Sequence, residues 1–241
     1  MSEVERFCVC GFPFNSSEMP EHDHYEQMRR NADVSEHLGG YIVGGDPATQ
    51  FPHLWTWLVE HEGVESVLDV GCGEGQAVDY FHELGAFAIG IDGVWQPNSL
   101  VQTHDYETGP LTVGHDFDLV WCCEFLEHLD EKYLTNLRGS IDAAPLVLVT
   151  HAFPGQQGFH HVNCRDQEYW LGFFAGMGYT LDEDLTSVTR AYAAFNKNPY
   201  NHYVRSGLAF RRNREAGEQE EATGQAAGEL EEDGYAQSAA A

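Results

Sequence analysis

Lysine is almost missing from this chain. Among 241 residues only Lys132 and Lys197 are lysines, and 12 Lys and Arg together face 39 Asp and Glu, for a formal net charge of -27. So acidic a surface repels phosphate backbones and argues against nucleic-acid binding unless a local basic patch compensates. The same lysine-poor composition resembles that of proteins from salt-accumulating halophiles, where concentrated ions screen self-repulsion. We adopt that reading, which separates net charge from the choice of substrate. Arg205, Arg211, Arg212 and Arg214 form the one basic concentration, read here as solubilising charge near the chain end.

Long apolar runs are missing too. No stretch approaches the roughly 18 residues of a membrane span, and Met1–Arg6 is acidic with no apolar signal core. The chain therefore reads as cytoplasmic, with no membrane partner. Cysteine is scarce, at six residues, and without a secretory signal a disulfide framework is not expected. Cys8-x-Cys10 followed by His22-x-His24 offers four metal donors, but the spacing matches no common zinc module. Packed thiols and solvated histidines are the plainer reading.

What is present is enough apolar surface to fold: 42% hydrophobic and 12% aromatic residues, at a length that suits one α/β domain with extensions. Residues 1–49 form a polar lead-in, with a short helix expected near Glu21–Ala32 and turns at Gly39-Gly40 and Gly44-Gly45-Asp46-Pro47. From Pro52, Leu54, Trp55, Leu58 and Val59 recur at helical spacing. Strands are expected at Ser66–Val70, Phe87–Ile91, Phe117–Cys122 and Leu146–Val149, with helices over about 74–84, up to about 141, and over Gln167–Met177. Two late strands, near Tyr179–Thr189 and His202–Arg211, have no long helix between them and suggest an antiparallel addition at one edge. Alternating βα units predict a mainly parallel sheet with helices on both faces. Residues 213–241, rich in Glu, Ala and Gly, form an acidic tail expected to stay disordered.

The richest segment is Val67-Leu68-Asp69-Val70-Gly71-Cys72-Gly73-Glu74-Gly75-Gln76. A strand ends in an acid and three glycines at alternate positions, then a helix opens. Glycine lets the backbone turn sharply and approach a ligand with no Cβ in the way, and free N–H groups at the helix start meet whatever is held there. The G-x-G-x-G spacing is not the G-x-G-x-x-G of a dinucleotide pyrophosphate site, which weighs against a nicotinamide-dependent oxidoreductase. Asp92, after the second strand, stands where a carboxylate can accept both ribose hydroxyls.

This run resembles the nucleotide-binding motif of class I S-adenosylmethionine-dependent methyltransferases, over roughly residues 50–212. The resemblance implies a Rossmann-like seven-stranded α/β sheet, mainly parallel with an antiparallel edge strand. It implies a cofactor loop of Asp69, Gly71, Cys72, Gly73 and Gly75 facing the methionine part of S-adenosyl-L-methionine, Asp92 on the ribose, and Asp105 beside the adenine amine. Tyr41 and the His53–Trp57 segment are placed where similar extensions cap the cofactor.

Glu124, Glu127 and His128 follow the strand that ends in Cys122, and in such folds the ligand crevice lies at the carboxyl ends of strands. At i, i+3 and i+4 they share one face of a helical segment. Two carboxylates and an imidazole there can bind a divalent cation that lowers the pKa of a hydroxyl; alternatively His128 serves as a general base. The E-x-x-E-H pattern is similar to that of ubiquinone-type O-methyltransferases and of small-RNA 2′-O-methyltransferases, where it goes with a later histidine, here His161. The resulting expectation is an Mg²⁺ site of Glu124, Glu127, His128 and His161. Glu124, His128 and His161 are the catalytic candidates, and Glu124 also borders the cofactor. Many class I members carry Glu-His-Leu at this point with the histidine merely bordering the cofactor, so the plainer reading stays open. No Asn/Asp-Pro-Pro-Tyr/Phe follows this strand, and Asn198-Pro199-Tyr200 reads as a turn. The acceptor expected is a small molecule or sugar hydroxyl, with an RNA ribose as the alternative and a catalytically silent cofactor-binding protein as a weaker one.

Overall fold

The computed structural model describes residues 35–38 and 44–213, and the backbone of 6–7 and 13–14. The Cys8/Cys10/His22/His24 donors, the helix near Glu21–Ala32, Tyr41, Arg214 and the acidic tail lie outside the described residues. Two short strands near the start, β1 (Arg6–Phe7) and β2 (Pro13–Phe14), pair antiparallel.

The main sheet follows from period-2 burial. In β3 (Ser66–Val70), Val67 packs into one apolar layer while Leu68 and Val70 pack into the other, as alternating Cβ directions require. β4 (Phe87–Asp92) and β6 (Leu119–Cys122) flank β3 in parallel, β5 (Val101–Thr103) extends the β4 side, and β7 (Leu146–Val149) extends the β6 side. β9 (Leu208–Arg212) runs antiparallel between β7 and β8 (Tyr179–Leu181), giving the order β5-β4-β3-β6-β7-β9-β8. One antiparallel strand therefore enters this mainly parallel seven-stranded sheet, one place in from its edge.

Helices cover both faces. Leu54 of α1 (Pro52–Glu60), Phe81 of α2 (Gln76–Glu83), Leu185 and Ala193 of α5 (Glu183–Ala193) and Tyr203 of α6 (His202–Ser206) pack with Val67, Leu119 and Leu148. Ile141 of α3 (Arg138–Ile141) and Trp170 and Phe174 of α4 (Gln167–Gly176) pack with Val70, Val120 and Val147 on the other face. The Tyr169/Trp170/Phe173/Phe174 run thus supplies core, with Phe174 stacked on Phe210 at 4.2 Å between ring centroids.

Two expectations are corrected. The strand anticipated near Tyr179–Thr189 stops at Leu181, and an 11-residue helix follows. Asp182 caps that helix by accepting from the Leu185 amide at 2.9 Å, and Leu185, Thr186, Thr189 and Ala193 are buried at helical spacing. The β-branched threonines suggested strand, but the cap and the buried stripe decide for helix. The second strand likewise begins at Leu208 rather than His202, because Asn201 caps α6 through the Val204 amide. β5 was not anticipated at all, being three residues long and half exposed.

Candidate functional site

At the carboxyl ends of β3, β4 and β6 the glycine turn opens into a cleft of about 240 Å³. Gly71, Gly73 and Gly75 all have positive φ, at 78°, 55° and 89°, a region that L-residues with a Cβ rarely occupy. Their reasons differ. A Cβ on Gly71 would stand 2.5 Å from the Phe125 ring and one on Gly75 2.8 Å from the Asn98 amide, whereas one on Gly73 meets nothing within 4 Å. Gly71 and Gly75 serve packing; the face of Gly73 is left open toward the cleft.

Asp92 faces this turn. Its Oδ2 accepts from the Gly73 amide and its Oδ1 from the Val94 amide, each at 2.8 Å. Burial raises its pKa, while those two amides pull the other way. Asp69 is 3% exposed, and burial, followed by the charge of Asp92, raises its carboxyl well above the usual range. Cys72 is buried in the turn, with its thiol pushed up by burial and by Asp69 and Asp92. Asp105 lines the cleft with one oxygen bonded to His37 Nε2 at 2.9 Å and the other to the Glu107 amide. His37 and Leu38, with Asp46 and Thr49, cover the cleft from the N-terminal side.

The His53–Trp57 segment does not cap the cleft. Trp55 is buried against Phe51 and Trp121, Trp57 stacks on Tyr192, and His53 lies on Phe195. The cover comes from a few residues upstream, where short polar turns carry no periodic signal to betray it.

The Glu124–His128 segment is not one helical face. Glu124 sits at φ 53°, and only Leu126–His128 forms a short 3₁₀ turn. The Glu124 amide donates to Thr150 Oγ1 at 2.6 Å, tying it to the end of β7 instead of to a helix. Its carboxylate accepts from the Thr150 hydroxyl at 2.8 Å and meets His202 Nδ1 at 3.0 Å. Glu127, His128 and His161 do converge, with ligand atoms all within 4.8 Å of one another. Both carboxylate oxygens of Glu127 and the Nδ1 atoms of His128 and His161 are buried with no hydrogen-bond partner. Burial and the neighbouring Glu124 raise Glu127 well above the carboxylate range. Burial, then the charge of His161 and His160, pushes His128 down to about 3, and burial lowers His161. At neutral pH both imidazoles are therefore uncharged, in the state that a metal needs, and His128 holds a proton poorly.

The polar loop after β7 divides. Gln156, Gln157, Phe159 and His161 line the cleft, while His151 and Asn163 are buried. His202, which sequence reasoning missed, joins the cleft from α6; only its imidazole after the Asn198-Pro199-Tyr200 turn marked it. Among the described residues no lysine or arginine lines the cleft, whereas Asp46, Glu74, Asp92, Asp105, Glu107 and Glu124 do. Arg211 is paired with Glu62 and Asp182, and Arg212 with Tyr179 and the Asp142 and Ala144 carbonyls, so neither is spare for a phosphate.

With this geometry in view, the relatives fall into one group. Residues 68–141 match the family model described as a methyltransferase domain. A ubiquinone biosynthesis O-methyltransferase of Proteus mirabilis is 30% identical over 131 residues, which cover 49% of this chain and 50% of that protein. One from Azoarcus sp. is 29% identical over 174 residues, covering 63% and 70%. The chain spans about half the length of the first of these relatives. In fold it is similar to the 1,6-didemethyltoxoflavin-N1-methyltransferase of Burkholderia thailandensis, with a TM-score of 0.50 at 16% identity over 81% of this chain and 92% of that one. The chain is thus similar to methyltransferases over residues 68–141 and, in fold, over 81% of its length. Among the described residues no helix is long and apolar enough to cross a membrane.

Proposed function

We propose that the chain transfers a methyl group from S-adenosylmethionine to a hydroxyl oxygen of a small molecule. The observation that carries this is the cleft itself. The glycine turn, Asp92 and the Glu127/His128/His161 cluster all open into one acidic cavity or border it. Buried carboxylates with no basic partner attract a cation, and the cofactor brings both an ammonium and a sulfonium. Gly71, Cys72, Gly73 and Gly75 form the turn against which the cofactor lies. Asp69 supplies negative charge beneath it, Asp92 accepts from the ribose hydroxyls, and Glu124 borders the methyl end. Asp105 reaches the adenine amine with whatever valence His37 leaves it. Most of the enzyme's work is then to hold the acceptor oxygen in line behind the methyl carbon.

The orphaned atoms of Glu127, His128 and His161 fit a divalent cation, while Glu124, whose charge also bears on Glu127, pairs with His202. Two imidazoles beside one carboxylate suit Zn²⁺ or Mn²⁺ better than Mg²⁺, which prefers oxygen ligands; the expectation of Mg²⁺ is revised accordingly. When bound, such an ion would polarise an acceptor hydroxyl. Methylation of an RNA ribose is disfavoured, since it calls for a basic groove where the described residues offer an acidic one. The N-methylating relative in the fold comparison has no bearing on the atom methylated here.

Incubation of the full chain with methyl-labelled S-adenosylmethionine and a cell extract, fractionated into RNA, protein and small metabolites, tests the proposal. Base-stable label in the small-metabolite fraction supports it. Label confined to RNA would overturn the acceptor class.

A further inference from the structure

Outside the cofactor turn and the orphaned cluster, one more group of side chains faces the cleft. Glu124, at φ 53°, is the strained residue of the β6 end. Backbone strain in a residue with a Cβ persists where the surroundings hold it. Here they hold it twice. Thr150 Oγ1 accepts from the Glu124 amide at 2.6 Å and donates to Oε1 at 2.8 Å. The other carboxylate oxygen, Oε2, lies 3.0 Å from His202 Nδ1, with the two side chains 14% and 16% exposed. His202 is itself fixed from behind. Asn201, the cap of α6, donates to the Ala193 and Asn196 carbonyls at 2.7 and 3.0 Å and accepts from Val204 at 3.1 Å.

A carboxylate 3.0 Å from Nδ1 favours a proton on that nitrogen over one on Nε2, which makes Nε2 the nitrogen that can take a proton. His202 lines the same cleft as Gly73 and Asp92. If Glu127, His128 and His161 are committed to an ion, their donor atoms do not take the acceptor's proton. Of the other imidazoles that line the cleft, His37 holds Asp105 and His104 the Gly109 carbonyl through Nε2, while His202 meets Glu124 through Nδ1.

We propose that Glu124, Thr150 and His202 form a carboxylate–imidazole pair whose Nε2 takes the proton of the acceptor hydroxyl during methyl transfer. This rests on the methyltransferase reading above. In the step, a lone pair of the acceptor oxygen forms a bond to the sulfonium methyl carbon and the carbon–sulfur bond breaks. Its electron pair returns to sulfur, giving the neutral thioether S-adenosylhomocysteine. The hydroxyl proton passes to Nε2, and the resulting imidazolium stands beside the Glu124 carboxylate that offsets its charge. Glu124 and Thr150 are positioning residues and His202 is catalytic.

The test uses the full chain, labelled S-adenosylmethionine and catechol as the acceptor probe. His202→Gln keeps volume and a polar group, so binding of S-adenosylhomocysteine should stay within about threefold of the parent while turnover falls about 100-fold or more. His202→Ala should regain activity with added imidazole, which a purely structural role would not allow. Glu124→Gln should bind the by-product normally and turn over about tenfold more slowly. Turnover of His202→Gln within threefold of the parent overturns the proposal. Independently of any acceptor, ¹⁵N-histidine NMR should show His202 protonated on Nδ1 and bare on Nε2, with that bias lost in Glu124→Gln. A proton on Nε2 in the parent overturns it as well. Failure of the parent to bind S-adenosylhomocysteine would instead count against the cofactor reading.

Discussion

Replacing Gly73 by alanine separates what the glycine turn does for the fold from what it does for a ligand. Gly73 sits at φ 55°, and an added Cβ meets no atom within 4 Å. The cost to stability is then the left-handed backbone alone, about 1–2 kcal/mol, partly offset by the lower entropy of the unfolded chain. A net loss of about 1 kcal/mol lowers the melting temperature by about 2–4 °C for a domain of this size. The new methyl group nevertheless stands on a residue that lines the cleft, where the cofactor must approach the backbone. A displacement costing even about 1.4 kcal/mol weakens binding tenfold. Gly85 is the control, at φ 88° with equally open surroundings, in the turn after α2 and away from the cleft. Gly71→Ala marks the other extreme, since its Cβ would meet Phe125; strain and overpacking together cost about 2–5 kcal/mol. Calorimetric titration with S-adenosylhomocysteine and thermal melts of the three variants read the outcome. Gly73→Ala should melt like Gly85→Ala yet bind at least tenfold more weakly. Equal binding by these two would refute the role assigned to the turn.

Three further outcomes are expected. Zn²⁺ or Mn²⁺ added to metal-stripped protein at about 100 times its Kd should stabilise it by about 2.7 kcal/mol. Glu127→Gln should abolish that gain and leave the metal-free melt unchanged or higher; an unaltered metal response in this variant would remove Glu127 from the site. The raised carboxyls of Asp69 and Asp92 make the free folded chain bind more protons than the unfolded one between the ordinary and the raised values. Stability of the free protein should therefore fall as pH rises through that window, from about 4 upward, while affinity for the cationic cofactor rises. Melts and titrations against pH check this, and a binding constant independent of pH would refute it. Raising KCl from about 0.1 M to above 1 M should increase the melting temperature, because ions screen a net charge of -27; a decrease would contradict the saline reading of the composition.

The glycine turn and Asp92 were legible because they impose backbone conformations and placements that few other sequences satisfy. The central strands were legible from short, densely apolar runs such as Leu146–Val149. Helix α5 was not, since threonines in its buried stripe speak for strand until the Asp182 cap is seen. The shared helical face of Glu124, Glu127 and His128 also misled. Spacing assumes a continuous helix, and the Thr150 hydroxyl, just past the neighbouring strand β7 and 26 residues on in sequence, holds Glu124 out of one. His202 and His37 reach the cleft through tertiary contacts across 78 and 68 residues, and no local pattern encodes such distances.

The central claim is that a turn of side-chain-free residues and the carboxylate of Asp92 hold an adenosyl sulfonium compound. Isothermal titration of the intact chain with S-adenosylmethionine, its demethylated product and NAD⁺, in dilute and in concentrated KCl, tests it most directly. Saturable binding of the first two, abolished in Asp92→Ala, with no heat from NAD⁺, is the predicted result. Heat from NAD⁺ alone, or from none of the three under either condition, would contradict it.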